Sequence, residues 1–156
     1  MDEERLEMHK VLATDNEIDL AVPYYVKEPY EYFDIYLHNT NDYVGYVWFD
    51  GSDDYELMKY YGNVGYEIKE SYRGNNYALK ALRILKEIMI RKKIRAMVFS
   101  IEPNNKYSIN VAEKLGAEKV GSRKVPPKLG LYTFNGEDVD IYVYELQENK
   151  KAGIKW

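Results

Sequence analysis

Apolar and polar residues change their spacing several times along this chain, and each change marks an element. Leu6, Met8, Lys10 and Leu12 alternate with Glu7, His9 and Val11, which predicts a first strand. Residues 13–29 contain Asp15-Asn16, Pro23 and Pro29 and read as irregular. Phe33, Ile35 and Leu37 then alternate with Tyr32, Asp34, Tyr36 and His38, and residues 43–49 form a second apolar run. The turn cluster Asn39-Thr40-Asn41-Asp42 lies between them, so the two are expected to pair as a hairpin that ends over residues 50–54. Gly62-Asn63-Val64-Gly65 leads into a strand expected over 66–72. Ala78, Ala81, Leu82, Leu85, Ile88 and Met89 follow at helical spacing, with Lys80, Arg83, Lys86 and Glu87 on the other side. Arg91-Lys92-Lys93 suits the negative end of that helix. Residues 96–101 are a continuous apolar run, the pattern of a strand buried on both faces. Pro103-Asn104-Asn105 breaks it, and a second helix is expected over 106–115, closed by Gly116. Val139, Ile141 and Val143 alternate with Asp140, Tyr142 and Tyr144 as a late strand. Hairpin first, then strand–helix–strand–helix–strand, is an α+β order. It implies a mixed, mostly antiparallel central sheet flanked by helices, and excludes regular doubly wound alternation.

A length of 156 residues suggests one domain over 1–156, and 46% hydrophobic residues suffice for a core. No apolar run reaches the roughly 18 residues of a membrane span. The acidic start Met1-Asp2-Glu3-Glu4-Arg5 lacks the apolar stretch of a secretion signal, so a cytoplasmic location is expected. The chain has no cysteine, which excludes disulfides, thiolate zinc sites and an acyl-cysteine intermediate. Its two histidines, His9 and His38, are too few and too far apart for a metal cluster, so no metal is expected. The 17 tyrosines suit half-buried sheet faces, with the lining of an acceptor pocket as the alternative use.

Charge is distributed unevenly. Residues 1–62 hold 4 Lys+Arg against 15 Asp+Glu, a balance of -11; residues 69–95 hold 9 against 2, a balance of +7. Solvated surface charge explains such a pattern, and so does steering of an anionic ligand and a cationic one to different surfaces. A net charge of -4 with one local basic stretch argues against nucleic acid as a partner.

The basic stretch contains the arrangement with the clearest chemistry. A strand, the short loop Arg73-Gly74-Asn75-Asn76-Tyr77-Ala78 and an apolar-striped helix follow in direct succession. First-turn N–H groups have no intrahelical partner, and the helix dipole adds partial positive charge, so such a loop can cradle an anion. It lacks the Gly-Lys-Ser/Thr of a nucleoside-triphosphate loop and the Gly-x-Gly-x-x-Gly of a dinucleotide site.

Residues 62–78 resemble motif A of the GNAT superfamily of acyl-CoA-dependent N-acetyltransferases, a strand followed by Arg/Gln-x-x-Gly-x-Gly/Ala. Arg73 and Ala78 match its ends, and Tyr66 and Ile68 fall on its strand. Asn105-Lys106-Tyr107-Ser108 and Glu113-Lys114-Leu115-Gly116-Ala117 are similar to motif B, in the expected order after the expected helix and buried strand. The resemblance covers roughly residues 43–120. It departs in two places. Asn76 stands where the family prefers glycine, a substitution that asparagine's tolerance of the left-handed region allows. Ala112 stands where many members carry the tyrosine that protonates the departing thiolate.

The resemblance implies a three-layer α/β/α GNAT-like acetyltransferase domain that uses acetyl-CoA as co-substrate. Main-chain groups from Gly74, Asn75, Asn76, Tyr77 and Ala78, beside Arg73, would hold the pyrophosphate. Tyr66 and Ile68 would pair with the pantetheine as a further strand, and Asn105 and Ser108 would contact its thioester end; Asn105 also reads as a plain helix N-cap. The reaction implied is direct attack of a primary amine, of a small molecule or a peptide, in a ternary complex. The glutamate that some members place near Gly62 is absent. Glu67 is then the candidate base and Ser108 the candidate assistant to the thiolate, with Tyr61, Asp34 and His38 as weaker candidates. A CoA-binding regulatory module without turnover is the alternative reading, and a tyrosine-rich interaction domain without CoA a third. A homodimer is compatible with either CoA-binding reading, and neither needs a membrane.

Overall fold

The computed structural model describes residues 9–22, 26–126, 138–147 and 155–156. Five strands come first: β1 (Val11–Thr14), β2 (Ile18–Ala21), β3 (Val26–Lys27), β4 (Tyr30–Leu37) and β5 (Tyr43–Asp50). Helix α1 (Tyr55–Tyr61), β6 (Val64–Ile68), a 3-10 turn (Glu70–Tyr72) and helix α2 (Tyr77–Arg91) follow. Then come β7 (Ala96–Ile101), helix α3 (Lys106–Leu115), β8 (Glu118–Lys124) and β9 (Asp138–Glu145). The expected α+β class is what forms. The sheet is in two parts, one ordered β1-β2-β4-β5-β6 with β3 on β4, the other β7-β9-β8, and every ladder among the described residues is antiparallel.

The apolar run of β7 is buried on both faces, as its sequence predicts. Met97, Phe99 and Ile101 join the core beneath α2 and α3, while Ala96 and Val98 join a second core with Tyr55 and Met58 of α1. Helices on both sides of the second sheet make three layers. The striped face of α2 is buried through Ala78, Ala81, Leu82, Leu85, Ile88 and Met89. At about 2 kcal/mol for a fully buried aliphatic side chain, this face is a main contributor to the core.

Several elements differ from the pattern-based expectation. Residues 13–29 are not irregular throughout: β2 is buried along its length, Asp19 included. Its period is hidden because Asp19 is accommodated by hydrogen bonding, 2.8 Å from His38 Nδ1. The strand expected over 66–72 stops at Ile68, where the 3-10 turn tightens the chain. α1 has no long apolar stripe to announce it; the Asp54 side chain caps it by accepting from Leu57 N–H. β8 is largely exposed and so carries little periodic signal. In the late strand, burial runs from Val139 through Val143 instead of alternating, because Asp140 is satisfied by Ser122 Oγ at 2.6 Å. Leu6 and Met8, half of the first predicted strand, and residues 127–137 lie outside the described residues.

Asn63 ties the two sheets together where β6 meets β7. Asn63 is wholly buried. Its Nδ2 donates to the Ala96 carbonyl at 2.8 Å and its Oδ1 accepts from Val98 N–H at 2.7 Å. Its own N–H donates to the Val98 carbonyl at 2.9 Å. β6 and β7 are thus riveted at one end and unladdered beyond it.

Candidate active site

The opening between β6 and β7 is a cleft of about 180 Å³. Val64, Gly65 and Tyr66 form one wall, residues 99–102 the other, and Asn105 and Ser108 of the α3 start complete it. The ladder shows which backbone groups face it. Asn63 C=O and Lys69 N–H bond to β5, at Asp50 N–H and Val44 C=O. Backbone groups alternate along a strand, so residues 65 and 67 also face β5, whereas Val64, Tyr66 and Ile68 turn their N–H and C=O away from it. The Ile68 carbonyl is engaged by Arg73 Nε at 3.0 Å, which leaves its N–H.

β6 leads through the 3-10 turn Glu70–Tyr72 into the Arg73–Ala78 loop. Tyr72 N–H bonds to Lys69 C=O at 2.8 Å, and Asn75 Nδ2 donates to Tyr72 C=O at 3.0 Å, so the loop is tied from below. Gly74 has φ 86°, and a Cβ built on it would meet nothing within 4 Å, so its outer side is open. Asn76 occupies the left-handed region at φ 61° and ψ 24°, the conformation its replacement of glycine requires. The α2 ladder begins with Lys80 N–H to Asn76 C=O, which places the N–H groups of Tyr77, Ala78 and Leu79 ahead of it at the positive end of the dipole.

On α3, Asn105 is the N-cap: its Oδ1 accepts from Ser108 N–H at 3.2 Å. It lines the cleft as well. Ser108 Oγ accepts a hydrogen bond at 3.1 Å from the hydroxyl of Tyr66, across the cleft. Burial pushes the Tyr66 phenol above its ordinary pKa, against a smaller opposing effect of the Ser108 bond. Ala112, one turn further on, is buried in the core. The pairing of Tyr66 with Ser108 has no sequence signal, because the partners are 42 positions apart.

Glu67 lies on the other face of β6, exposed, and accepts from Tyr46 Oη at 3.2 Å. Cross-strand register puts Asp34, Tyr46 and Glu67 side by side on that face. Burial raises the Asp34 pKa, with an opposing effect of His9. Tyr32 and Trp48 share the face, their ring centroids 6.1 Å apart. Trp48 lies on the chain at Gly65, where an added Cβ would fall 2.3 Å from its Nε1. Sequence patterning missed this contact, although glycine in a strand interior is a signal for such an approach. Of the weaker candidates, Asp34 shares this face, whereas Tyr61 packs on the second core and His38 is bound to Asp19 and Thr14. Among the described residues, no group of three His, Asp or Glu is placed to hold a metal ion.

Comparison with known families assigns the chain. A GNAT acetyltransferase domain model matches residues 5–118. The chain belongs to the GNAT acetyltransferase family. No functionally curated protein sequence matches it. Among solved structures, RimL, a ribosomal L7/L12 α-N-protein acetyltransferase in complex with coenzyme A, is similar at TM-score 0.59 and 22% identity. That match covers 75% of this chain and 62% of the RimL chain. The Salmonella typhimurium acetyltransferase that modifies the N-terminal serine of L7/L12 matches at TM-score 0.59 and 21% identity, over 76% of this chain and 64% of that one. The Microcin C7 self-immunity acetyltransferase MccE, in complex with acetyl-CoA and AMP, matches at TM-score 0.63 and 16% identity, over 84% and 93%. The GNAT chain described here therefore spans less than two thirds of the length of the two ribosomal-protein acetyltransferases. At these identities the likeness speaks for the fold.

Proposed function

We propose that this GNAT chain is an acetyl-CoA-dependent N-acetyltransferase, one domain over residues 1–156, acting on a primary amine in the cytoplasm. One observation supports the reading: a single strand, β6, both walls the cleft and leads, through one 3-10 turn, into the loop at the N-terminus of α2. A ligand with a polar amide arm and a pyrophosphate fits that continuity. Its arm would take the outward main-chain groups of Tyr66 and Ile68 and the side chains of Asn105 and Ser108. Its pyrophosphate would sit on the main chain from Gly74 to Ala78, beside Arg73.

The amine must be neutral to attack. An alkylamine of ordinary pKa carries a deprotonation cost of about 4.6 kcal/mol at pH 7. Glu67 is our candidate to receive that proton. The face it shares with Asp34, Tyr46, Tyr32 and Trp48 combines carboxylates with aromatic rings, which suits a cationic amine of a small molecule or a peptide. Neutral amine nitrogen would then attack the thioester carbonyl directly, and the carbon–sulfur bond would break in the ternary complex.

The test is a screen of amine classes with CoA release as readout, alongside CoA-induced thermal stabilisation. The expected result is a melting shift with millimolar CoA and turnover of one amine class. Absence of any shift would remove the reading. A second reading, a CoA-responsive regulatory module, is favoured by the buried Ala112 in place of a phenol. It requires the shift without turnover of any amine.

A further inference from the structure

The family's usual proton donor is absent at Ala112, yet the cleft holds a phenol. Tyr66 reaches across from β6 to Ser108 Oγ at 3.1 Å, one turn before Ala112 on the same face of α3. Both residues line the cleft. We propose that Tyr66 is the acid that protonates the departing CoA thiolate, taking over from the opposite wall the task of the missing α3 tyrosine, with Ser108 as its positioning residue.

This inference rests on the acetyltransferase reading and deepens it at the same site. The arrangement meets what such an acid requires. It is fixed at its hydroxyl end by Ser108 and packed along its ring against the core. A phenol of ordinary pKa, about 10, is protonated at neutral pH, and burial shifts Tyr66 further in that direction. The main chain of the same residue faces the cleft, so one residue would hold the arm and address its sulfur.

The step balances as follows in atoms and electrons. The amine nitrogen lone pair forms the C–N bond, the C–S bond breaks, and its electron pair stays on sulfur. The Tyr66 O–H proton passes to sulfur and yields CoA–SH. The resulting phenolate accepts a hydrogen bond from the Ser108 hydroxyl. The proton released from the acylated nitrogen passes to solvent and restores the phenol from there.

Tyr66→Phe removes the proton and keeps the ring. Expected results are a CoA melting shift close to wild type, a kcat lower by about 100-fold, and loss of the alkaline limb of the kcat–pH profile. A binding readout accompanies them. Wild type should prefer CoA to its desulfo analogue by about fivefold, and Tyr66→Phe should erase the preference. Unchanged kcat in a Tyr66→Phe protein that binds CoA overturns the inference and leaves the acetyltransferase reading standing. A wild type that binds CoA and turns over no amine overturns both. Should Tyr66→Phe fail to bind CoA, Ser108→Ala decides: a kcat lower by about 10-fold, with its pH profile displaced, supports the assignment, and wild-type kinetics refute it.

Discussion

At the scale of single residues, the loop before α2 is defined by two backbone conformations. Gly74 at φ 86° and Asn76 at φ 61° both lie in the left-handed region, and only the first is glycine. Open space around Gly74 separates charge from bulk in a test. Gly74→Ala should cost about 1 kcal/mol of stability, from backbone strain alone, and retain the CoA melting shift. Gly74→Asp should carry the same strain and lose the shift, because its carboxylate would face the pyrophosphate. A CoA shift preserved in Gly74→Asp would mean that the anion does not bind here. Asp19 offers a pH test. Burial works to raise its pKa, but hydrogen bonds from Thr14 and His38, the His38 charge and Asn39 N–H together hold it below the ordinary value. A depressed carboxylate stabilises the fold above its unfolded pKa of about 3.9 and ceases to as pH falls through its lower folded value. Thermal melts from pH 6 down to pH 2 should show an acid-dependent drop that is reduced in Asp19→Asn.

Between elements, the decisive joint is Asn63. Its side chain serves two β7 backbone groups, Ala96 C=O and Val98 N–H, that have no ladder partner on the β6 side. Asn63→Ala would leave both buried and unsatisfied, at about 3 kcal/mol in total. For a chain of this size that corresponds to a melting temperature lower by about 10 °C, measurable by calorimetry. CoA binding should weaken by more than the stability loss explains, since the joint sets where the strands part. Elements with strong periods were legible beforehand: α2, β7, α3 and the β4–β5 hairpin stand where their patterns put them. β2 and β8 were not, for opposite reasons. β2 buries a carboxylate that breaks its period, while β8 buries too little to have one.

For the whole molecule, the charge asymmetry of the sequence is partly folded back on itself. Lys80 Nζ of the basic stretch lies 3.1 Å from Glu17, and Lys92 Nζ lies 3.2 Å from Glu31. Acidic and basic segments are therefore not fully separated onto different surfaces. What remains at the loop is Arg73, held at Ile68, and Lys69, whose Nζ sits 5.9 Å from the Tyr72 ring centroid. Attraction of an anionic donor should survive in reduced form. The rate of CoA association, measured by stopped flow, should fall several-fold between low salt and about 0.5 M salt, with little change in dissociation. A salt-independent association rate would show that the pairing has cancelled the steering.

By itself the sequence determined the glycine- and asparagine-bearing loop before α2, the two amphipathic helices and the doubly buried strand. Each depends on residues within a few positions of one another, where period, glycine and asparagine conformations and helix ends act locally. Tertiary structure alone decided the contacts that bring the candidate site together. Tyr66 meets Ser108 across 42 positions, Asn63 meets Val98 across 35, and Trp48 rests on Gly65 through cross-strand register. Such pairs follow from which strand lies beside which and how a helix packs over them. No local spacing encodes that, so a phenol on a strand could stand ready where the helix carries only an alanine.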